Sequence, residues 1–241
     1  MTNTAPGTLR RVWLLVRTPR RGRGFWYSLA IDLLWPLAMA FTVPVWRGAE
    51  RIPAEGPVLL ASNHVSFLDP VTETAFVLAH GRIPRYLAKA GLWQIPVVGR
   101  VLAGGGHIPV YRDTRDAKAA FRDALAALAR GESVLVYPEG TFTNDPDGWP
   151  MRGKTGIARL ALASGAPVIP LAHWGTQRVL PRGKVLPRLL PRKRVFTSVG
   201  EPVDLSDLAG PEPTRQAVIE ATYRIMAAIT ALLVEIRATE S

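Results

Sequence analysis

The residues best suited to chemistry lie in one short run, Asn63-His64-Val65-Ser66-Phe67-Leu68-Asp69, which is followed by Pro70. A histidine with a carboxylate held on one ring nitrogen is a general base for a hydroxyl. The carboxylate keeps that nitrogen protonated, leaves the other as acceptor, and stabilises the imidazolium formed in the transition state. On a continuous helix, positions five apart diverge by about 140° in azimuth, so His64 and Asp69 meet only if the chain turns between them. A turn at the end of a strand would do this. Other readings of the same residues stay open: Asp69 before Pro70 is also an N-cap and N1 signature, and a lone histidine is often an ordinary polar residue with a satisfied partner. A metal site finds little support, because His80, His107 and His173 show no ligand spacing. A Ser66 nucleophile lacks the Gly-x-Ser-x-Gly elbow.

These residues need a scaffold, and apolar runs alternating with helical patterns predict an α/β fold with a mixed central sheet flanked by helices. Strands are expected at 58–61, 85–88, 107–110, 133–137, 168–172 and 195–199. Helices are expected at 70–79, 96–103, from Asp113 or Thr114 to Arg130 with a stop at Gly131, and at 155–164. A closing helix over about 214–237 carries Val218, Ile225, Ile229, Leu233 and Ile236 on one broad stripe and is assigned to packing.

The N-terminal stretch differs from the rest. Phe25 to Trp46 is apolar and long enough to reach across a bilayer, but Asp32, Pro36 and Pro44 interrupt it, and Trp26, Tyr27, Trp35 and Trp46 are headgroup-level aromatics. With Arg10, Arg11, Arg17, Arg20, Arg21 and Arg23 before it, the segment predicts one or two monotopic helices lying in one leaflet. Residues 1–48 are therefore expected to be a basic, membrane-anchoring segment and 49–241 the catalytic domain. The net charge of +11 points to acidic partners, and a second cluster from Arg178 to Arg194, interleaved with Leu180, Leu186, Leu189 and Leu190, fits a second membrane contact. Nucleic acid is not an expected partner, since no binding motif accompanies the charge. The absence of cysteine removes disulfides, thiolate metal sites and a cysteine acyl-enzyme.

Four blocks in order resemble the glycerolipid acyltransferases typified by 1-acylglycerol-3-phosphate acyltransferase. Asn63-His64-x4-Asp69 is similar to their first block, and Gly106-His107-Ile108-Pro109-Val110-Tyr111-Arg112 to their Gly-x-x-Phe-Ile-Asp-Arg. Tyr137-Pro138-Glu139-Gly140-Thr141-Phe142-Thr143 is similar to Phe-Pro-Glu-Gly-Thr-Arg-Ser, and Ala166-Pro167-Val168-Ile169-Pro170-Leu171 to their fourth block. With Lys89 and Lys154, the likeness spans about residues 50 to 200.

The resemblance implies O-acyl transfer from acyl-CoA or acyl carrier protein to a lysophospholipid, foremost 1-acylglycerol 3-phosphate. It implies no metal and no organic cofactor, and the His64/Asp69 pair as catalyst. The expected substrate-binding residues are Asn63, Lys89, Arg112, Glu139, Gly140, Thr141 and Lys154, with Arg112 on the acceptor phosphate. The expected site of work is the cytoplasmic face of the cell membrane. Phe142 stands where the family has Arg, and Pro109 and Tyr111 where it has Phe and Asp, so another acceptor, glycerol 3-phosphate or a glycolipid sugar hydroxyl, is an alternative. A catalytically silent lipid-binding protein of the same fold is a further one.

Overall fold

The computed structural model describes residues 22–111, 117–184, 186–210 and 212–240. Its centre is a seven-stranded sheet: β1 (Thr42–Arg47), β2 (Val58–Ser62), β3 (Pro84–Lys89), β4 (Ile108–Val110), β5 (Ser133–Val136), β6 (Val168–Trp174) and β7 (Lys193–Val199). The spatial order is β1-β7-β6-β2-β5-β3-β4. All neighbours run parallel except β6 and β7, so the sheet is mixed, as expected. The helices are α1 (Phe25–Phe41), α2 (Asp69–Ala79), α3 (Pro96–Gly104), α4 (Ala117–Ala129), α5 (Gly156–Ser164), α6 (Thr176–Val179) and α7 (Arg215–Ala238).

The central strands are buried on both faces, which is why they read as continuous apolar runs. Their side chains still alternate. Leu59, Ala61, Val134 and Val168 enter a core with Leu128 of α4, Ile157 and Leu160 of α5, and Ile225 and Ile229 of α7. Val58, Leu60, Leu135 and Ile169 enter a second core with Phe76 and Leu78 of α2 and with Tyr27, Ile31 and Trp35 of α1. One layer of helices therefore covers each face.

The stretch Phe25 to Trp46 corrects an expectation. It is not helical throughout: α1 ends at Phe41, and Thr42–Arg47 is an edge strand paired in parallel with β7. Burial alternates along it, with Thr42, Pro44 and Trp46 inside. Pro44 is tolerated because an edge strand has a side with no ladder to donate to. The sheet thus begins at Thr42, not beyond residue 48. α1 buries Tyr27, Ile31, Trp35 and Ala38 and leaves Phe25, Trp26, Leu29, Leu33, Leu34 and Leu37 exposed. Among the described residues the one helix long and apolar enough to cross a bilayer is α7, and its stripe Val218, Ile225, Ile229 and Leu233 is buried in the protein. The basic residues Arg10 to Arg21 and the expected cap at Asp113 or Thr114 lie outside the described residues.

Candidate active site

The parallel strands β2, β5 and β6 are neighbours, so the segments that leave their C-terminal ends converge on one edge of the sheet. Asn63 to Ser66 follow β2, Tyr137 to Thr143 follow β5, and Thr176 follows β6.

Between β2 and α2 the chain turns back on itself. Asp69, fully buried, accepts three bonds on Oδ2: from His64 Nδ1 at 2.9 Å, Val65 N at 2.7 Å and Ser66 N at 2.8 Å. Thr176 donates its hydroxyl to Oδ1. Two backbone N–H groups on Oδ2 establish that oxygen as an acceptor, so Nδ1 of His64 is the donor and Nε2 is left as an acceptor. The N-cap reading of Asp69 falls, because its carboxylate faces amides that precede α2 and the helix has no side-chain cap. Burial raises the Asp69 carboxyl, but the His64 bond, the nearby histidines and the Thr176 hydroxyl outweigh it and hold the group below its ordinary value. Asp69 is ionised.

His64 is 13% exposed at its side chain. The Tyr137 ring stacks on the imidazole at 3.9 Å between centroids and 9° between planes, and Phe142 lies against it at 4.1 Å, with exposed Phe67 on Phe142. His173 is wholly buried between Thr72 (Nε2, 2.9 Å) and Thr197 (Nδ1, 3.0 Å), with Nε2 4.0 Å from Asp69 Oδ1. Burial drives His173 down to about 4 despite the Asp69 charge, so it is neutral and serves as a wall.

Two expected substrate-binding residues have other work. Asn63 is 1% exposed; its amide donates to His173 O at 2.9 Å and accepts from His173 N at 2.8 Å, clasping the turn to β6. Glu139 is 2% exposed and accepts from His64 N at 3.1 Å and Met151 N at 2.9 Å. Burial raises Glu139 above its ordinary value against the pull of those two amides. Both residues are corrected to supports of the His64 turn, since their polar atoms are occupied by backbone.

Of the other expected residues, Lys89, Thr141 and Lys154 stay exposed and Gly140 is half-buried. Gly140 has φ +70°, a conformation that suits glycine, and the side chain of exposed Lys154 lies over it: a Cβ there would sit 3.2 Å from Nζ. Thr141 is exposed beside it, Lys89 is exposed at the end of β3, and Arg112 lies outside the described residues. Sequence reasoning missed Thr176 and the tying roles of Ser66 and Arg182, which read only as a weak nucleophile and as part of a basic cluster. Ser66 donates Oγ to Leu180 O at 2.8 Å, and Arg182 Nη1 donates to Thr143 O at 2.8 Å, so the basic segment after α6 is fastened to two of the blocks. Thr143 N in turn donates to His64 O at 2.8 Å. Among the described residues no three His, Asp or Glu side chains gather as a metal site.

The family model described as Acyltransferase matches residues 44–174, from β1 through β6, which is over half of the chain and includes the whole His64 turn. The chain belongs to the acyltransferase family. The chain is 32% identical over 139 residues to a chloroplastic 1-acyl-sn-glycerol-3-phosphate acyltransferase of Brassica napus, covering 57% of this chain and 39% of the relative. It is 32% identical over 130 residues to a 1-acyl-sn-glycerol-3-phosphate acyltransferase of Borreliella burgdorferi, covering 54% of this chain and 50% of the relative. The match thus spans half or less of the length of these curated relatives. The crystal structure of the 1-acyl-sn-glycerophosphate acyltransferase PlsC from Thermotoga maritima superposes with a TM-score of 0.57 at 25% identity, covering 91% of this chain and 88% of that one.

Proposed function

We propose that this acyltransferase moves a fatty acyl group from acyl-CoA or acyl carrier protein to the free hydroxyl of a lysophospholipid, foremost 1-acylglycerol 3-phosphate, at a membrane surface. The observation that carries the reading is the His64 Nδ1 to Asp69 Oδ2 bond of 2.9 Å, with the carboxylate dry and ionised and the imidazole reachable from outside. The activity for which these relatives are named supports the choice of acceptor.

His64 Nε2 takes the acceptor's hydroxyl proton as its oxygen attacks the thioester carbon. The resulting imidazolium lies against Asp69. Collapse of the tetrahedral intermediate breaks the carbon–sulfur bond, and Nε2–H returns the proton to the departing thiolate. Ser66 is not a nucleophile in this scheme, because its Oγ is directed at Leu180 O. An apolar cavity of about 690 Å³ lined by Leu87, Val110, Phe121, Val136, Ile157 and Leu160 opens next to β5 and has the character needed for an acyl chain. Exposed Phe25, Trp26, Leu29, Leu33 and Leu37 on α1, and Leu186 and Leu190 among Arg182, Lys184 and Arg188, support monotopic binding to an anionic leaflet. Lateral entry would then keep the acceptor's chain out of water.

A second acceptor class has its own support. Phe142 packs against His64, so that position presents an aromatic edge rather than a cation, and among the described residues Arg182, Lys154 and Lys89 are cations open to a headgroup anion. A glycolipid hydroxyl fits such a mouth. Thiol release from palmitoyl-CoA in vesicles, run with lysophosphatidic acid, glycerol 3-phosphate, a glycolipid or no acceptor, separates the readings. Release that depends on lysophosphatidic acid and is abolished by His64→Ala supports the proposal. Dependence on another acceptor transfers it to that class, and no release with any pair supports the silent lipid-binding protein.

A further inference from the structure

Glu73 stands one helical turn beyond Asp69 on α2, fully buried, and the mechanism above does not use it. Its Oε2 accepts the hydroxyl of Tyr137, the residue whose ring lies flat on His64, and its Oε1 meets Ser62 Oγ. Ser62 Oγ is also 3.3 Å from Asn63 O. The titratable groups that face it are Asp69 on its own helix, Tyr137 after β5 and Tyr86 on β3, and no cation pairs with it among the described residues.

Two carboxyl groups a turn apart in a dry site do not both ionise cheaply. The partners decide which one keeps the proton. Asp69 has His64, two amides and a hydroxyl, all donors, whereas Glu73 has two hydroxyls that accept as readily as they donate. With Glu73 protonated, every group is satisfied in one direction. Tyr137 donates to Oε2, the acid proton on Oε1 donates to Ser62 Oγ, and Ser62 donates to Asn63 O. Burial first, and then the Asp69 charge, push Glu73 up to about 8, in accord with that order.

We propose that Glu73 is a positioning residue that remains a neutral carboxylic acid in the working enzyme, holding the Tyr137 ring against His64 while leaving Asp69 as the single negative charge of the dyad. The bond from Tyr137 restrains a ring that limits the swing of the imidazole, and the neutrality of Glu73 keeps a second anion away from the imidazolium.

The kinetic test rests on the acyl-transfer reading; a spectroscopic test does not. Tyr137→Phe keeps the stacked ring but releases it from Glu73, and is expected to lower kcat about tenfold with KM little changed, because misplacement of the base acts on the chemical step. Glu73→Ala should lower kcat similarly, and Glu73→Gln, whose amide reproduces a neutral acceptor and donor, should restore most of it. The acid limb of the kcat/KM profile should coincide in wild type and Glu73→Gln. The infrared difference spectrum of wild type against Glu73→Gln should show the carbonyl stretch of a protonated carboxyl at neutral pH, lost in alkaline solution. A wild-type kcat in Tyr137→Phe overturns the positioning role. A limb displaced to lower pH in Glu73→Gln, or a difference spectrum with only carboxylate bands at neutral pH, overturns the neutral acid. The infrared result stands even if every acceptor assay fails, so the two readings fail separately.

Discussion

Asp69→Asn isolates the charge of the dyad from its geometry. Asparagine can place its carbonyl oxygen where Oδ2 accepts from His64 Nδ1, Val65 N and Ser66 N, and its NH2 where Thr176 Oγ1 can accept. The reversed orientation would set an NH2 against two backbone N–H donors, so the amide has one orientation and the His64 tautomer is preserved. What disappears is the anion beside the imidazolium. At about 4 Å between charge centres and an effective dielectric of about 20, that attraction is worth about 4 kcal/mol, and part of it is returned by the neutral bond that remains. A net loss of about 3–4 kcal/mol corresponds to a fall in kcat of about a hundred- to a thousand-fold. This is less than the ten-thousandfold typical where the same change also reverses the tautomer. The assay is acceptor-dependent thiol release against pH, with the melting temperature measured in parallel. The acid limb should move to lower pH, because the protonated imidazole has lost its carboxylate, while the melting temperature changes little. A loss under tenfold with an unmoved limb would refute the general-base reasoning and leave Asp69 as the fastener of a turn.

The supports of the turn make separate predictions. Glu139→Gln leaves one of His64 N and Met151 N facing an NH2, an unsatisfied buried donor that should cost about 1–3 kcal/mol in chemical denaturation and lower kcat with little effect on KM. Stability should also depend on pH through Glu73. Its folded value, about 8, lies above its ordinary 4.5, so the folded chain holds a proton that the unfolded chain releases. Stability is unaffected below the lower value, and each pH unit between the two removes about 1.4 kcal/mol. Wild type should therefore lose melting temperature relative to Glu73→Gln as pH rises from 5 to 8; parallel curves would show that Glu73 is ionised when folded. Replacing exposed Leu33 and Leu37 of α1 by Ser should weaken sedimentation with anionic vesicles while leaving thermal stability within about 0.5 kcal/mol, since neither side chain is in the core. Unchanged sedimentation would remove α1 from the membrane contact.

Much of this architecture is legible in the sequence because its signals are local. The runs Val58–Ala61 and Val168–Ala172 are apolar over most of a strand's length, and α7 begins where its stripe predicts, just after Thr214, whose side chain accepts from Ala217 N. Legibility ends where a residue's role depends on what the fold brings to it. Thr42–Arg47 merged with α1 because both are apolar, and only pairing with β7, a hundred and fifty residues away, makes it a strand. Asn63 and Glu139, polar residues in a motif, invite a reading as substrate ligands, yet their partners are backbone atoms of β6 and of the two loops at the site. Glu73 and Thr176 carry no sequence signal, since a glutamate within a helix and a threonine after a glycine are ordinary.

The place of the dyad follows from the order of the strands. β2 lies between β5 and β6, and the chain leaves β2 toward the core that holds α1 and α2 but leaves β5 toward the core that holds α5 and α7. Loops that part to opposite faces open a crevice at the C-terminal edge, which is where open parallel sheets bind their ligands. The turn that carries His64 forms one wall, and it is tied by Asn63 to β6, by Glu139 and Thr143 to the segment after β5, and by Ser66 to the segment after α6. The imidazole is thus fixed from neighbours on both sides of β2 before any substrate arrives. In its proposed role such a base would act without reorganising at the moment of transfer, so variants of the ties should reduce kcat more than they weaken binding.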